Sequence, residues 1–146
     1  MNPTIVAIHL SKASRAALVA VDRATAVAEE GLAGDRHAKR GSRRQVLLVE
    51  QETLETLDLA PGDVREQVTV RGIALDRLVF GARLRVGEAV FEVAGPCHPC
   101  ERMDEIRPGL QDSLAGRRGR FVRVVGAGSF AVGDALILEP PAAVGA

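Results

Sequence analysis

Tryptophan and tyrosine are absent from this 146-residue chain, and four phenylalanines are its only aromatics. Stacking of bases on aromatic platforms is therefore not expected. A nucleic-acid partner is not expected either, because 19 Lys and Arg balance 19 Asp and Glu and leave no basic surplus. No run is long and apolar enough to span a bilayer, so no membrane partner is expected. The opening "MNPTIVAIHLSK" has no charged segment before its apolar run and does not read as a signal peptide. A cytoplasmic, reducing setting is the expectation. Lysine is scarce too. Neither Lys12 nor Lys39 sits in an apolar stretch suited to a Schiff-base lysine. Glycine-rich nucleotide motifs and a G-x-S-x-G elbow are missing.

Nearly half of the residues, 47%, are hydrophobic, enough for a folded core. One domain over residues 1–139 is expected, with 140–146 as a flexible tail. "TIVAIHL", "QVLLVE", "VREQVTVRG" and "RFVRVVG" read as strands. "ALVAV" and "ATAVAEE" read as a strand pair turning at Asp22-Arg23. "LVFGARLRVGEAVFEVAG" and "SFAVGDALILEP" each place a glycine between apolar runs, the mark of tight turns between strands. "EQETLETLDLAPGD" is a short helix ended by Pro61-Gly62. "ERMDEI" and "PGLQDSLAG" supply one or two helical turns each. Strands following one another with few crossover helices predict a mostly β, antiparallel, barrel-like fold with a few short helices. Two basic clusters stand out against the neutral total: Lys39, Arg40, Arg43 and Arg44, then Arg117, Arg118 and Arg120. Most such clusters are solvated faces. Two in one small domain also leave room for an anion site, since Arg presents a fork to phosphate or carboxylate.

The only cysteines, Cys97 and Cys100, stand in "GPCHPC" with His98 between them. A dithiol oxidoreductase would place such a pair where a strand runs into a helix, but its usual fold wants a βαβ unit. Structural zinc would need two further ligands. His9 and His37 are the remaining histidines, single and distant, so no structural zinc is expected. A lone activated cysteine is a third reading, with Cys100 at the start of a short helix near Arg102 and His98. Against all three stands the ordinary buried, inert thiol. "GDRH" offers Asp35 and His37 as a carboxylate–imidazole pair, or as plain turn residues.

In order, "GLAGDRH", "RRQVLLVE", "PGDVREQVTVRGIAL", "LVFGARLRVGEAVFEVAGPCHPC" and "AVGDALILEP" resemble the MOSC domain, named for the C-terminal domain of molybdenum cofactor sulfurases. The likeness runs to about Glu139. It implies a barrel-like β fold and a role linked to the molybdenum cofactor, a pyranopterin. Cys100 matches the family's cysteine in "G-x-x-x-P-C", the proposed persulfide sulfur carrier or molybdenum ligand. Asp35 and His37 match its "GD-x-H" segment, and Glu66 matches its glutamate before "x-T-V-x-G". Arg36, His37 and Arg44 are candidate anion or thiolate partners, and Cys97 and His98 auxiliary residues. Gln67 stands where many members have asparagine, and Cys97 falls where members often carry arginine or another residue, so no role is carried over to it. The pyridoxal-phosphate desulfurase domain of the sulfurases has no match within these residues, so no pyridoxal-phosphate (PLP) site is expected within them. A cysteine desulfurase or a molybdoenzyme is the implied partner. Some small relatives instead reduce N-hydroxylated bases with the cofactor bound. Two other classes stay open: a non-catalytic β-barrel that docks a partner enzyme, and a CxxC dithiol oxidoreductase.

Overall fold

The computed structural model describes residues 2–139; the expected flexible tail, 140–146, lies outside them. The strands are β1 (Thr4–Leu10), β2 (Val19–Val21), β3 (Arg23–Val27), β4 (Gly31–Leu32), β5 (Val46–Glu50), β6 (Val68–Arg71), β7 (Arg83–Val86), β8 (Ala89–Pro96), β9 (Arg120–Gly126), β10 (Gly128–Ala131) and β11 (Leu136–Leu138). Three short helices, α1 (Gln51–Thr56), α2 (Glu101–Ile106) and α3 (Leu110–Ser113), and a 3-10 turn at Leu75–Arg77 complete it. The fold is mostly β, as expected.

Eight strands form one sheet in the order β11-β7-β8-β9-β5-β6-β1-β2, and β10-β3-β4 form a second. The large sheet curls back on itself. Thr4 in β1 bridges Ala135 beside β11, and the N–H groups of Ile5 and Leu136 donate to Asp134 O and Pro3 O, each at 2.9 Å. Such a return covers edges that would otherwise be open to pairing. Phe130 of β10 meets Phe91 of β8 edge-on, ring centres 5.4 Å apart, and so ties the small sheet to the large one.

Two details depart from the expectation. β5 and β6 run parallel, because α1 and the segment after it carry the chain back before the next strand begins, and a parallel pair needs such a crossover. The expected pair at Asp22-Arg23 does not form. β2 pairs with β1, and β3 pairs with β10 and β4. Ala24 and Ala26 alternate inward from β3 while Val19 and Ala20 stay exposed, so the chain leaves one sheet for the other at this point.

The core has two parts on opposite faces of β5. Val46 and Leu48 join the main cluster with Val122, Val124 and Phe91. Leu47 and Val49 join a second cluster with Leu54, Met103 and Leu110 from the helices and Leu114 just after α3. β5 is buried on both faces, which is why "VLLV" is apolar without alternation. The second cluster sits on the outer face of the sheet and floors the candidate site.

Candidate functional site

Asp35 follows Gly34, whose φ of 82° turns the chain in a conformation that favours glycine. Its buried carboxylate accepts hydrogen bonds from Ser11 N–H at 2.7 Å, from His37 N–H at 3.1 Å and from Gln67 Nε2 at 3.1 Å. His37 Nδ1 lies 3.5 Å away. Burial opposes ionisation of Asp35, but the bonds from His37, Ser11 and Gln67 outweigh it and hold its carboxyl below the usual range. Gln67 is the joint of this network. Its Oε1 accepts from Leu47 N–H at 2.9 Å, and its Nε2 also lies 3.3 Å from His37 Nδ1. One buried side chain thus binds β5 to the "GDRH" turn.

The thiols come from the loop after β8. Cys97 N–H donates to Gly119 O at 3.0 Å and Met103 N–H to Cys100 O at 2.9 Å, so both ends of "CHPC" are anchored. Cys100 is the residue just before α2 and is exposed. Pro99 precedes that residue and so lies outside the first helical turn. Cys97 is half-buried. Burial pushes its thiol up, Arg118 and Arg44 pull it down, and Cys100 adds to the rise; the net is upward. Both cysteines are free.

These elements enclose a cavity of about 220 Å³. Leu47 and Phe121, a cross-strand pair of β5 and β9, line it with Met103, and Arg36, His37, Arg44, Arg65, Gln67, Arg102, Arg118, Cys97 and Cys100 complete the lining. Five of these residues are arginines and none is a carboxylate. Arg118 is 6% exposed. Its Nη2 donates to Val64 O at 2.7 Å, and its buried Nη1 has no partner. Arg44 lies over the Phe121 ring, 5.5 Å from its centre, a cation–π contact that fixes the guanidinium. Arg65 adopts φ 70°, strained for a side-chain-bearing residue. Its pKa is lowered by burial and then by the charges of Arg102 and Arg36. The site thus concentrates positive charge, and among the described residues none of the five guanidiniums forms a salt bridge with a carboxylate. A second cavity, about 480 Å³, shares the lining residues Arg65 and Arg102 with it and includes His9, Arg15, Gly62 and Glu105.

The MOSC domain family model matches residues 33–137. This chain belongs to the MOSC domain family. The match covers β5 to β9 and every residue lining the smaller cavity. Solved structures of similar fold include the YuaD protein from Bacillus subtilis, with a TM-score of 0.79 at 20% identity over 93% of this chain and 94% of that one. YiiM from Geobacillus stearothermophilus aligns with a TM-score of 0.79 at 21% identity, covering 98% of this chain and 77% of its own. YiiM from Escherichia coli gives 0.72 at 20% identity, covering 96% and 71%. At these identities the likeness shows the fold. No curated protein matches this chain.

Within this MOSC domain, the sequence-predicted residues divide by position. Arg36, His37, Arg44, Cys97 and Cys100 line one cavity. Asp35 stands behind His37 and Gln67. Glu66 and His98 are not among the lining residues. Glu66 is fully buried, where its Oε2 accepts from Gly62 N–H at 2.9 Å and Thr69 Oγ1 at 2.7 Å; it braces the turn that carries Arg65. His98 is exposed. His9 and His37 line different cavities, and among the described residues no three His, Cys, Asp or Glu side chains gather as a metal-ligand set. Arg65 is a lining residue that sequence reading passes over, since a single arginine before a strand carries no signal, and the apolar Leu47, Met103 and Phe121 are passed over as core. Arg118 sat in a basic cluster, but nothing local marked it as buried. Among the described residues, no helix is long and apolar enough to cross a membrane.

Proposed function

We propose that this MOSC domain is a sulfur carrier whose Cys100 accepts sulfur as a persulfide in an arginine-lined cavity. The observation that carries this reading is one lining shared by five arginines, two thiols and no carboxylate. Cys100 is the thiol open to a donor. A persulfide is anionic at neutral pH, and the surrounding guanidiniums favour the charged form. Leu47, Met103 and Phe121 exclude water from one side. His37, held through Gln67 and Asp35, also lines the cavity and supplies an imidazole for proton exchange there. The donor is a cysteine desulfurase, and the acceptor is a molybdoenzyme or its cofactor.

The second cavity favours a related reading, in which the cleft holds the molybdenum cofactor. The residues fit such a group: a soft thiol suits molybdenum, and arginines, one with an unpartnered buried Nη1, suit a phosphate. Cys100 would hold the metal and Arg118, Arg44, Arg65 and Arg102 the anionic part. When bound, the cofactor supplies a redox-active metal centre. In either reading the chain's own residues orient an anion and set a thiol against it.

The test is transfer from a cysteine desulfurase supplied with cysteine, followed by intact-mass and metal analysis of protein purified from its own host. The expected result is one added sulfur atom, removed by reductant and absent from Cys100→Ser. Protein that carries neither sulfur nor molybdenum under any of these conditions would sink the proposal.

A further inference from the structure

We infer that the smaller cavity takes a compact sulfur-bearing oxyanion of the thiosulfate class as a direct sulfur donor to Cys100. The inference rests on the sulfur-carrier reading and goes beyond it, because it replaces a protein donor with a small molecule. Three observations converge. Arg118, one of the lining residues, is 6% exposed, bonds Val64 O through Nη2, and leaves its buried Nη1 unpartnered. A buried guanidinium N–H left without an acceptor is costly, and a charged oxygen acceptor is its strongest partner. The lining brings four more arginines and no carboxylate to neutralise them. The volume, about 220 Å³, falls below the roughly 300–1,000 Å³ of pockets that enclose drug-sized ligands. A small, strongly charged oxyanion suits such a space better than an extended organic substrate does. The two thiols in the same lining distinguish this from a plain phosphate site.

The transfer balances without any further oxidant or reductant. The Cys100 thiol gives its proton to solvent, which it reaches. Its thiolate attacks the outer sulfur of thiosulfate. The bond between the two sulfurs of thiosulfate breaks, and its electron pair leaves with the sulfonate sulfur as sulfite. A new sulfur–sulfur bond joins Cys100 to the transferred atom, giving the persulfide. Three negative charges enter, one on the thiolate and two on thiosulfate. Three leave, one on the persulfide and two on sulfite. Arg118 and Arg44 hold the sulfonate oxygens, so the departing charge stays paired throughout. Cys97, half-buried beside them, keeps its proton and does not compete for the donor.

The experiment incubates the full chain with sodium thiosulfate and no protein donor, and follows released sulfite and the intact mass. One sulfur atom should appear on Cys100 for each sulfite released, with neither in Cys100→Ser. Excess sodium sulfate should slow loading by competition. Arg118→Gln should raise the thiosulfate concentration for half-maximal loading by about tenfold or more, the loss of one charge-assisted hydrogen bond. Arg118→Lys should recover part of that loss, and Arg44→Gln serves if the Arg118 variants do not fold. Sodium polysulfide, which lacks a sulfonate, is the control donor. Loading by polysulfide without loading by thiosulfate overturns this inference and leaves the sulfur-carrier reading standing. Failure of thiosulfate, polysulfide and the desulfurase alike overturns both. Thiosulfate loading unaffected by sulfate, Arg118→Gln and Arg44→Gln also overturns it, because the arginines then do not hold the donor.

Discussion

Asp35 contributes most through the donors it satisfies. Three buried or half-buried N–H groups converge on it, and an amide in its place would turn a donor toward Gln67 Nε2. Asp35→Asn should therefore cost about 1–3 kcal/mol, the range for a buried group left unsatisfied, read from chemical denaturation at pH 7. The pH dependence follows from the lowered pKa. A carboxylate more acidic when folded than when unfolded adds stability that is full above its unfolded value, near 3.9. That stability is lost as pH falls from there through the folded value. The unfolding midpoint of the native protein should drop steeply below about pH 4, and the Asp35→Asn curve should be flatter there. Parallel curves would show that Asp35 is not the titrating group. The thiols differ in the same physical way. Cys100 is exposed, while burial outweighs two arginines at Cys97. Alkylation at pH 8 should be fast at Cys100 and slow at Cys97, and the Cys97 rate should keep rising beyond the ordinary thiol pKa of about 8.5. A fast phase that survives in Cys100→Ser but not in Cys97→Ser would reverse the assignment.

Between residues and fold, the turn into β9 does two tasks at once. Gly119 has φ 125°, and a Cβ there would strike the carbonyl oxygen of Leu48. Its own carbonyl accepts from Cys97 N–H. Glycine lets β9 approach β5 closely, with Arg118 on one side and the thiol loop on the other. Gly119→Ala should destabilise the protein by about 1–3 kcal/mol, the cost of one strained backbone position, and should alter the alkylation rate of Cys97. A variant with native stability and native Cys97 reactivity would show that the turn is not under this constraint. Elements of this kind were only partly legible in the sequence. The apolar run "VLLV" marked β5, and the glycine between the apolar runs of "LVFGARLRVGEAVFEVAG" marked the turn from β7 to β8. The change of sheet between β2 and β3 was not legible, because "ALVAVDRATAV" has the same local pattern whether it folds as a hairpin or leaves one sheet for another. The parallel pairing of β5 and β6 likewise depends on where the chain returns after α1. At the site, the basic clusters and "GPCHPC" pointed to an anion and a thiol. Gln67 and Arg118 gained their roles only through contacts with Asp35, Leu47 and Val64, each 20 or more residues away.

The whole molecule gathers its charge from segments that share no sequence neighbourhood. Arg36 and Arg44 flank the loop before β5, Arg65 precedes β6, Arg102 belongs to α2 and Arg118 precedes β9. Folding brings all five to one cavity, against their mutual repulsion, and unfolding scatters them. An oxyanion that fits the cavity therefore binds the folded state and has no equivalent site in the unfolded chain. Binding of that kind stabilises by mass action, by about 2.7 kcal/mol at a hundred times the dissociation constant. For a domain of this size that is a rise of roughly 5–10 °C in the unfolding midpoint. Sulfate also stabilises proteins generally by exclusion from their surface, so the size of the rise alone decides nothing. The two effects differ in shape and in their dependence on Arg118. Site binding grows logarithmically once the concentration passes the dissociation constant, and it weakens when a guanidinium is removed. Exclusion grows steadily with concentration and is indifferent to one buried side chain. Melting curves in sodium sulfate and sodium chloride at matched ionic strength should show an early rise with sulfate alone, and Arg118→Gln should shift that rise to higher concentration. Equal, steadily increasing midpoints in the native protein and the variant would mean that the arginines are held together by the fold without serving an anion.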